Sequence, residues 1–235
     1  MRVAGDILKR CLEHLSRTVQ PGLTTGHLDD LAEEFITSHD GATPAFKGYN
    51  GFPGSLCTSV NDECVHGIPS GHVLQEGDIV SLDCGVIVGG MYTDACVTVP
   101  VGKVKSEVLQ FLQRSKDALE AAVAIVAPGI RVGDISSTVQ REVEQHGYSC
   151  VNGLTGHGLG SDLHLFPDIP NTGRKGTGPA LPKNIAIAIE PITAMGKPHI
   201  KDSADGWTIA TADGSLSAHF EHTVLVTPDG HEILA

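Results

Sequence analysis

The chain has 235 residues, of which 40% are hydrophobic and only 4% aromatic, and its formal net charge is −12. This composition indicates a globular protein with an aliphatic core, and the acidic charge argues against nucleic acid or an anionic membrane as the main partner. No apolar run is long enough to span a bilayer. The six cysteines form no CxxC pair, so free thiols in a reducing cytoplasm are expected.

The first two predicted elements are helices. Residues 1–15 (MRVAGDILKRCLEHL) intersperse charged with apolar side chains, a pattern typical of an amphipathic helix and not of a signal peptide. A Pro-Gly turn then leads into a second segment, in which Leu28, Leu31 and Phe35 recur at helical spacing. Both segments therefore predict helices that bury one face.

The turn before the second helix returns in the other half of the chain. Residues 19–28 read VQPGLTTGHL and residues 126–135 read VAPGIRVGDI, an offset of 107 residues (126 − 19). The same offset maps Asp83, in an apolar strand-like run, onto Glu190 in another. These matches predict a duplicated α+β unit around a pseudo-two-fold axis. The predicted domain covers residues 1–235, with repeats of about 1–110 and 111–235.

Between the repeated turns, residues 78–99 (DIVSLDCGVIVGGMYTDACVTV) predict a β-hairpin. Two β-rich runs flank Gly89-Gly90, which favours a two-residue loop. With that loop, Asp83 faces Cys96, and Asp94 lies on the same face as Asp83. Two such close carboxylates require a cation between them or a proton on one of them. The hairpin alone leaves open that one aspartate is simply a strand-end residue in water.

The second half contributes an imidazole and two more carboxylates in strand-like or glycine-rich segments. These are His157 in TGHGLG, Glu190 in AIEP and Glu221 in AHFEHTV. A lone histidine in a glycine-rich loop often has no special function. Together with the aspartates, however, this oxygen-rich set suits a pair of divalent ions such as Mn, Co, Fe or Zn, and not a cysteine-rich structural zinc site.

Five segments, in this order, resemble the type I methionine aminopeptidases. They are AFKGYNGFPGSLCTSVNDECVHGIP (45–69), SLDCG…YTDACVTV, TGHGLG…H, AIEP and DGWTIATADGSLSAHFEHTVLVT (205–227). The resemblance covers nearly the whole chain. It implies the α+β pita-bread fold, a duplicated unit in which helices cover a strongly curved antiparallel sheet around a pseudo-two-fold axis.

The resemblance also implies which side chains hold two divalent ions (Co, Mn, Fe or Zn). It implies that Asp83 and Asp94 are ligands and that Asp94 is shared between the ions. His157 and Glu190 are implied to bind one ion, and Glu221 is implied to be the second bridging carboxylate.

The implied activity is removal of the N-terminal methionine from nascent proteins and peptides when the second residue is small. Glu190 would act as general base, and His66 and His164 would contact the substrate and the reaction intermediate. The implied methionine pocket is lined by Tyr49, Phe52, Cys57, Leu163 and Trp207. The family precedent further implies a monomer. The free thiols and the acidic charge lead us to expect that it acts in the cytoplasm and contacts neither nucleic acid nor membrane.

One feature departs from the family pattern, and two other functions compete. After His164 the chain has Leu165-Phe166 where relatives usually carry acidic residues, which could alter the rim of the pocket. One alternative is a catalytically inactive peptide- or protein-binding module of the same fold. The other is a proline-specific aminopeptidase relative, although 235 residues leave no room for the separate N-terminal domain of those enzymes.

Overall fold

A computed structural model describes all residues, 1–235, of the chain. The helices are α1 (Arg2–Thr18), α2 (Thr25–Thr37), α3 (Ser106–Ala124) and α4 (Val132–Glu144), with a short 3-10 helix at Tyr49–Gly51. The first-half strands are β1 (Ala42–Pro44), β2 (Leu56–Val60), β3 (Glu63–Val65), β4 (Ile79–Val88) and β5 (Met91–Pro100). The second-half strands are β6 (Ser149–Cys150), β7 (Thr155–Leu159), β8 (Leu165–Pro170), β9 (Ala186–Ile189), β10 (Ile192–Ala194), β11 (Ile200–Asp202), β12 (Ile209–Thr211), β13 (Ser217–His219), β14 (His222–Thr227) and β15 (Gly230–Ile233).

The helices form where apolar residues recur at helical spacing, and each buries that face. Helix α1 buries Leu8 and Leu15 completely, and α4 buries Ile135. The Thr24 side chain accepts a hydrogen bond from the backbone N–H of His27 and so caps the start of α2. None of the helices combines the length and the apolar character that a membrane crossing requires.

Strands β4 and β5 form the predicted hairpin with the predicted register. Val88 pairs with Met91 across the turn, and Asp83 pairs with Cys96. The turn residues Gly89 and Gly90 have φ angles of 58° and 74°. Positive φ at both positions is what a tight two-residue hairpin turn needs, and it explains why two glycines stand there.

The two halves repeat the same strand order and the same long-range backbone contacts. β2, β4 and β5 are neighbours in the first half, and β7, β9 and β14 are neighbours in the second. The N–H of Gly22 donates to the carbonyl of Leu74 at 2.8 Å, and the N–H of Gly129 donates to that of Leu181 at 2.8 Å. The two donors are 107 residues apart in the chain (129 − 22), and so are the two acceptors (181 − 74). The duplicated pita-bread fold is therefore visible in the backbone pairing itself.

Each half has its own apolar core, and the halves join between the cores. One cluster of 20 buried residues includes α1, α2 and β4, and another of 22 includes α3, α4, β9 and β14. At the seam, Cys96 and Glu221 exchange backbone hydrogen bonds of 3.4 and 2.9 Å. This junction places the acidic face of the β4–β5 hairpin next to Glu221 of the second half.

A substitution at Gly133, near the start of α4, tests how closely the second half is packed. A Cβ atom there would lie 2.3 Å from the backbone oxygen of Arg174. Gly→Ala in a helix ordinarily adds up to about 1 kcal/mol of stability. Gly133→Ala should instead lower the free energy of unfolding by about 1–3 kcal/mol, because backbone must move to admit the methyl group. Urea denaturation measures this difference.

The control is Gly71→Ala, because a Cβ atom at Gly71 meets nothing within 4 Å. It should leave the free energy of unfolding within about 0.5 kcal/mol of the wild-type value. A Gly133→Ala variant as stable as the wild type would contradict the close approach of α4 to the loop that contains Arg174.

Candidate functional site

All five predicted metal ligands line one cleft at the seam between the halves. Asp83 lies on β4 and Asp94 on β5, so the hairpin places both on one face. His157 lies on β7, Glu190 directly follows β9, and Glu221 directly precedes β14. All five side chains are buried, with relative exposures between 3% and 9%. The five predicted ligands therefore place four carboxylates and one imidazole away from bulk water.

His157 is oriented with one ring nitrogen towards the carboxylates. Its Nε2 atom lies 3.6 Å from Oε1 of Glu190 and 3.9 Å from Oδ2 of Asp94. Its Nδ1 atom lies 2.9 Å from the carbonyl oxygen of Gly158. Donation from Nδ1–H to that carbonyl leaves the Nε2 lone pair free, which is the usual arrangement of a metal-binding histidine. Ligand atoms of Asp94, His157 and Glu221 all lie within 4.8 Å of one another.

Several carboxylate oxygens in the cleft have no protein partner. Oδ1 of Asp83, Oδ1 of Asp94 and Oε1 of Glu221 are buried and accept no hydrogen bond. No lysine or arginine lines the cleft. Buried carboxylates without a counter-charge are costly. The donor set therefore fits divalent metal binding, which supplies the missing positive charge.

The electrostatics of the cleft favour protonated acids in the absence of a cation. Burial raises the pKa of the Asp83 carboxyl to about 7. Burial, followed by repulsion from Asp83, raises the pKa of Asp94 and of Glu190 well above their usual values. Burial and repulsion from Asp94 do the same to the pKa of Glu221. Burial also lowers the pKa of His157 to about 4, so its imidazole is neutral and able to bind a metal at neutral pH.

The two predicted substrate-contacting histidines lie at the exposed mouth of the same cleft. The ring centroids of His164 and His157 are 4.3 Å apart. The Nδ1 atom of His164 is 3.0 Å from the hydroxyl oxygen of Tyr49. His66 has a φ angle of 59°. This left-handed conformation is strained for a non-glycine residue and is most common where function demands it.

The predicted methionine pocket is an apolar wall of this cleft. Phe52, Cys57 and Leu163 belong to one buried cluster, and Tyr49 and Trp207 pack against it. The rings of Phe52 and Trp207 meet edge to face, with centroids 5.2 Å apart. The cleft volume of about 340 Å³ is in the range of a small-ligand site. All five predicted pocket residues are thus adjacent to the acidic centre.

The structure adds one residue that the sequence analysis missed. His219 is buried and lines the cleft, with its Nε2 atom 3.5 Å from Oε2 of Glu190 and 3.8 Å from Oε2 of Glu221. The available signal was its position two residues before Glu221, because alternate residues of a strand share a face. By contrast, Phe166 is 82% exposed, and neither it nor Leu165 is among the residues that line the cleft.

Comparisons with known proteins agree over the whole chain. The model of metallopeptidase family M24 matches residues 1–228. The methionine aminopeptidase of Clostridium perfringens is 47% identical over 234 residues, covering 100% of this chain and 94% of that protein. The crystal structure of methionine aminopeptidase from Rickettsia prowazekii has a TM-score of 0.97 and 42% identity, with 100% of this chain and 94% of that one covered. Prolidase from Pyrococcus furiosus shares the fold, with a TM-score of 0.81 and 19% identity, but this chain covers only 62% of it.

The raised carboxyl pKa values predict that divalent metal binds more tightly as pH increases. A cation must displace protons from the carboxyls, whereas the buried imidazole of His157 is already neutral above pH 5 and releases none. The apparent affinity for Mn²⁺ should therefore rise between pH 6 and pH 7, by up to about tenfold for each proton displaced. Calorimetric titration in two buffers with different protonation enthalpies measures both the affinity and the protons released.

Asp213→Asn provides the control. Hydrogen bonds from Lys197 and Ser215 lower the pKa of this exposed carboxyl to about 2, so it is ionised throughout and should not change the pH profile. A metal affinity independent of pH in this range would contradict the protonated state of the cleft.

Proposed function

The chain belongs to metallopeptidase family M24, and on that premise we propose that it is a methionine aminopeptidase, which hydrolyses the first peptide bond of chains that begin with methionine. The observation that carries this proposal is the cleft itself, in which an acidic, metal-binding centre adjoins an apolar pocket. The first explains hydrolysis, and the second explains selection of a flexible apolar side chain. The proline-specific alternative has no such support, because prolidase resembles this chain in fold alone.

We propose that Asp83, Asp94, His157, Glu190 and Glu221 would hold two divalent ions, with Asp94 and Glu221 as ligands that the ions would share. Co, Mn, Fe and Zn all accept such mixed oxygen and nitrogen ligands, and cellular supply decides among them. When bound, the ions acidify a water molecule and polarise the scissile carbonyl.

In the proposed mechanism, the protein's own side chains move the protons and orient the substrate. The Glu190 carboxylate accepts a proton from the attacking water and acts as general base. With the Tyr49 hydroxyl donating to Nδ1 of His164, the Nε2–H of His164 is free to donate to the developing oxyanion. His66 hydrogen-bonds the nitrogen of the scissile amide.

The acidic centre also accounts for cleavage at the chain terminus. The free α-amine of a chain terminus has a lone pair with which it would bind at the metal centre, whereas the nitrogen of an internal peptide bond has no such lone pair to offer. The methionine side chain would then lie against Phe52, Cys57 and Trp207. Its thioether is polarisable and packs well against aromatic rings.

We propose that the protein acts as a monomer in the cytoplasm, where nascent chains are made. All six cysteines are free and buried, which is compatible with a reducing compartment.

We further propose that residues 1–235 act as one catalytic domain with repeats of about 1–110 and 111–235. The matching backbone contacts of the two halves support this division.

Peptide hydrolysis tests the proposal directly. Protein supplied with Co²⁺ or Mn²⁺ should release free methionine from Met-Ala-Ser, and at least about tenfold more slowly from Met-Lys-Ser, because the second residue must be small. N-acetyl-Met-Ala-Ser, which lacks the ammonium group, is the matched control and should be left intact. Chromatography of the products measures each rate. Metal-loaded protein that binds Met-Ala-Ser without cleaving it would instead identify an inactive binding module.

Glu190→Gln tests the proposed proton acceptor. The amide keeps the shape of the side chain but cannot accept the proton, so turnover of Met-Ala-Ser should fall by about 100-fold or more. The metal content of the variant must be measured by atomic emission alongside the rate, since only a metal-replete variant tests the role of Glu190 as the base. Glu232→Gln is the control, because this residue is remote and pairs with Arg2 at the surface. Near-normal turnover by metal-replete Glu190→Gln would show that another group takes the proton.

A further inference from the structure

His219 occupies in the second half the place that Asp94 occupies in the first. Asp94 lies opposite Gly85 in the first hairpin, and His219 lies opposite Ile192 in the second half. Gly85 and Ile192 are separated by the repeat offset of 107 residues (192 − 85). Asp94 and His219 also stand two residues before Cys96 and Glu221, the pair that joins the halves. The duplicated architecture thus presents His219 at a position where its counterpart is a proposed metal ligand.

The spacing of His219 from the carboxylates matches that of the proposed ligand His157. Nε2 of His219 is 3.5 Å from one oxygen of Glu190, and Nε2 of His157 is 3.6 Å from the other. Such separations exceed the usual 2.7–3.2 Å of an N–H···O hydrogen bond. They suit ligand atoms of one ion, because atoms each about 2.1 Å from an ion lie about 3–4 Å from one another.

The ring of His219 has no other partner in the protein. Both ring nitrogens are buried and make no hydrogen bond. The backbone is held in place, since Thr98 donates to the His219 carbonyl and accepts from its N–H, both at 2.8 Å. A neutral imidazole, held rigidly with free lone-pair and donor atoms in an acidic cleft, is a ready metal ligand.

We propose that His219 is a sixth protein ligand of the metal centre, binding through Nε2 beside Glu190 and Glu221. This inference rests on the proposed metal centre and adds a second imidazole to it. Imidazole suits Co, Fe and Zn better than Mn, which prefers oxygen ligands. His219 therefore biases the site towards the former group.

Proton NMR of the Co²⁺-loaded protein counts the bound imidazoles. Each imidazole bound to paramagnetic Co²⁺ contributes one strongly shifted ring N–H signal that disappears in D₂O. The wild-type protein should show two such signals, and His219→Gln should show one. His222→Gln is the matched control and should retain two, because the ring of His222 is hydrogen-bonded to the carbonyl of Ala235 at 2.7 Å.

Metal titrations provide the second measurement. His219→Gln should weaken Co²⁺ binding by at least about tenfold and Mn²⁺ binding by less, since only Co²⁺ strongly favours the lost nitrogen. A single shifted N–H in the wild-type protein would overturn the proposal, whether or not the variant folds, and would limit His219 to orienting the carboxylates. If the wild type binds no Co²⁺ at all, the proposed metal centre fails together with this inference. If the wild type binds Co²⁺ but shows only one shifted signal, this inference fails and the proposed hydrolase activity is unaffected.

Discussion

Four carboxylates buried in one small cleft are the constraint around which this protein is built. Asp83, Asp94, Glu190 and Glu221 line the cleft at the seam, where burial and mutual repulsion disfavour their ionised forms. A fold that places like charges together in this way gains no stability from them unless a cation is bound or protons are retained. Their retention in the core is therefore a mark of function, and the surrounding structure serves to hold them.

The duplicated backbone is an economical way to assemble such a centre. The first half contributes Asp83 and Asp94 on one face of a strand pair, and the second half contributes Glu190 and Glu221 at strand ends. The backbone contact between Cys96 and Glu221 joins the two halves. Two apolar clusters lie behind the strands, one formed mainly by each half, and Val97 packs against both of them. The β4–β5 pair is the longest of these pairings, with ten residues matched on each strand.

The halves contribute unequally to recognition of the substrate. The first half supplies most of the apolar wall, including Phe52 and Cys57. The second half supplies three of the four imidazoles that line the cleft, namely His157, His164 and His219, and the first half supplies His66. The fold that this chain shares with prolidase does not by itself dictate the substrate, because function resides in the side chains set upon a fold. The apolar wall beside an acidic centre is the local feature that favours an N-terminal methionine.

The sequence by itself determined the local features of this protein. Two glycines with alternating strands on either side define the register of the hairpin, and hence the shared face of Asp83 and Asp94, because turn type and side-chain period are local properties. The repeated Pro-Gly turns revealed the duplication. The family resemblance then supplied the five proposed ligands and the pocket residues, all of which line one cleft.

Only the tertiary structure decided how the halves meet. The contact between Cys96 and Glu221 joins segments 125 residues apart (221 − 96), and no local pattern encodes such a pairing. The contact of Tyr49 with His164 depends on that meeting. The position of the His219 ring beside Glu190 depends on strand pairing within the second half. A strand pattern shows which residues share a face, but the neighbours across that face are set by packing of distant segments. For that reason the place of the His219 ring beside Glu190 follows from the paired strands and not from the local sequence.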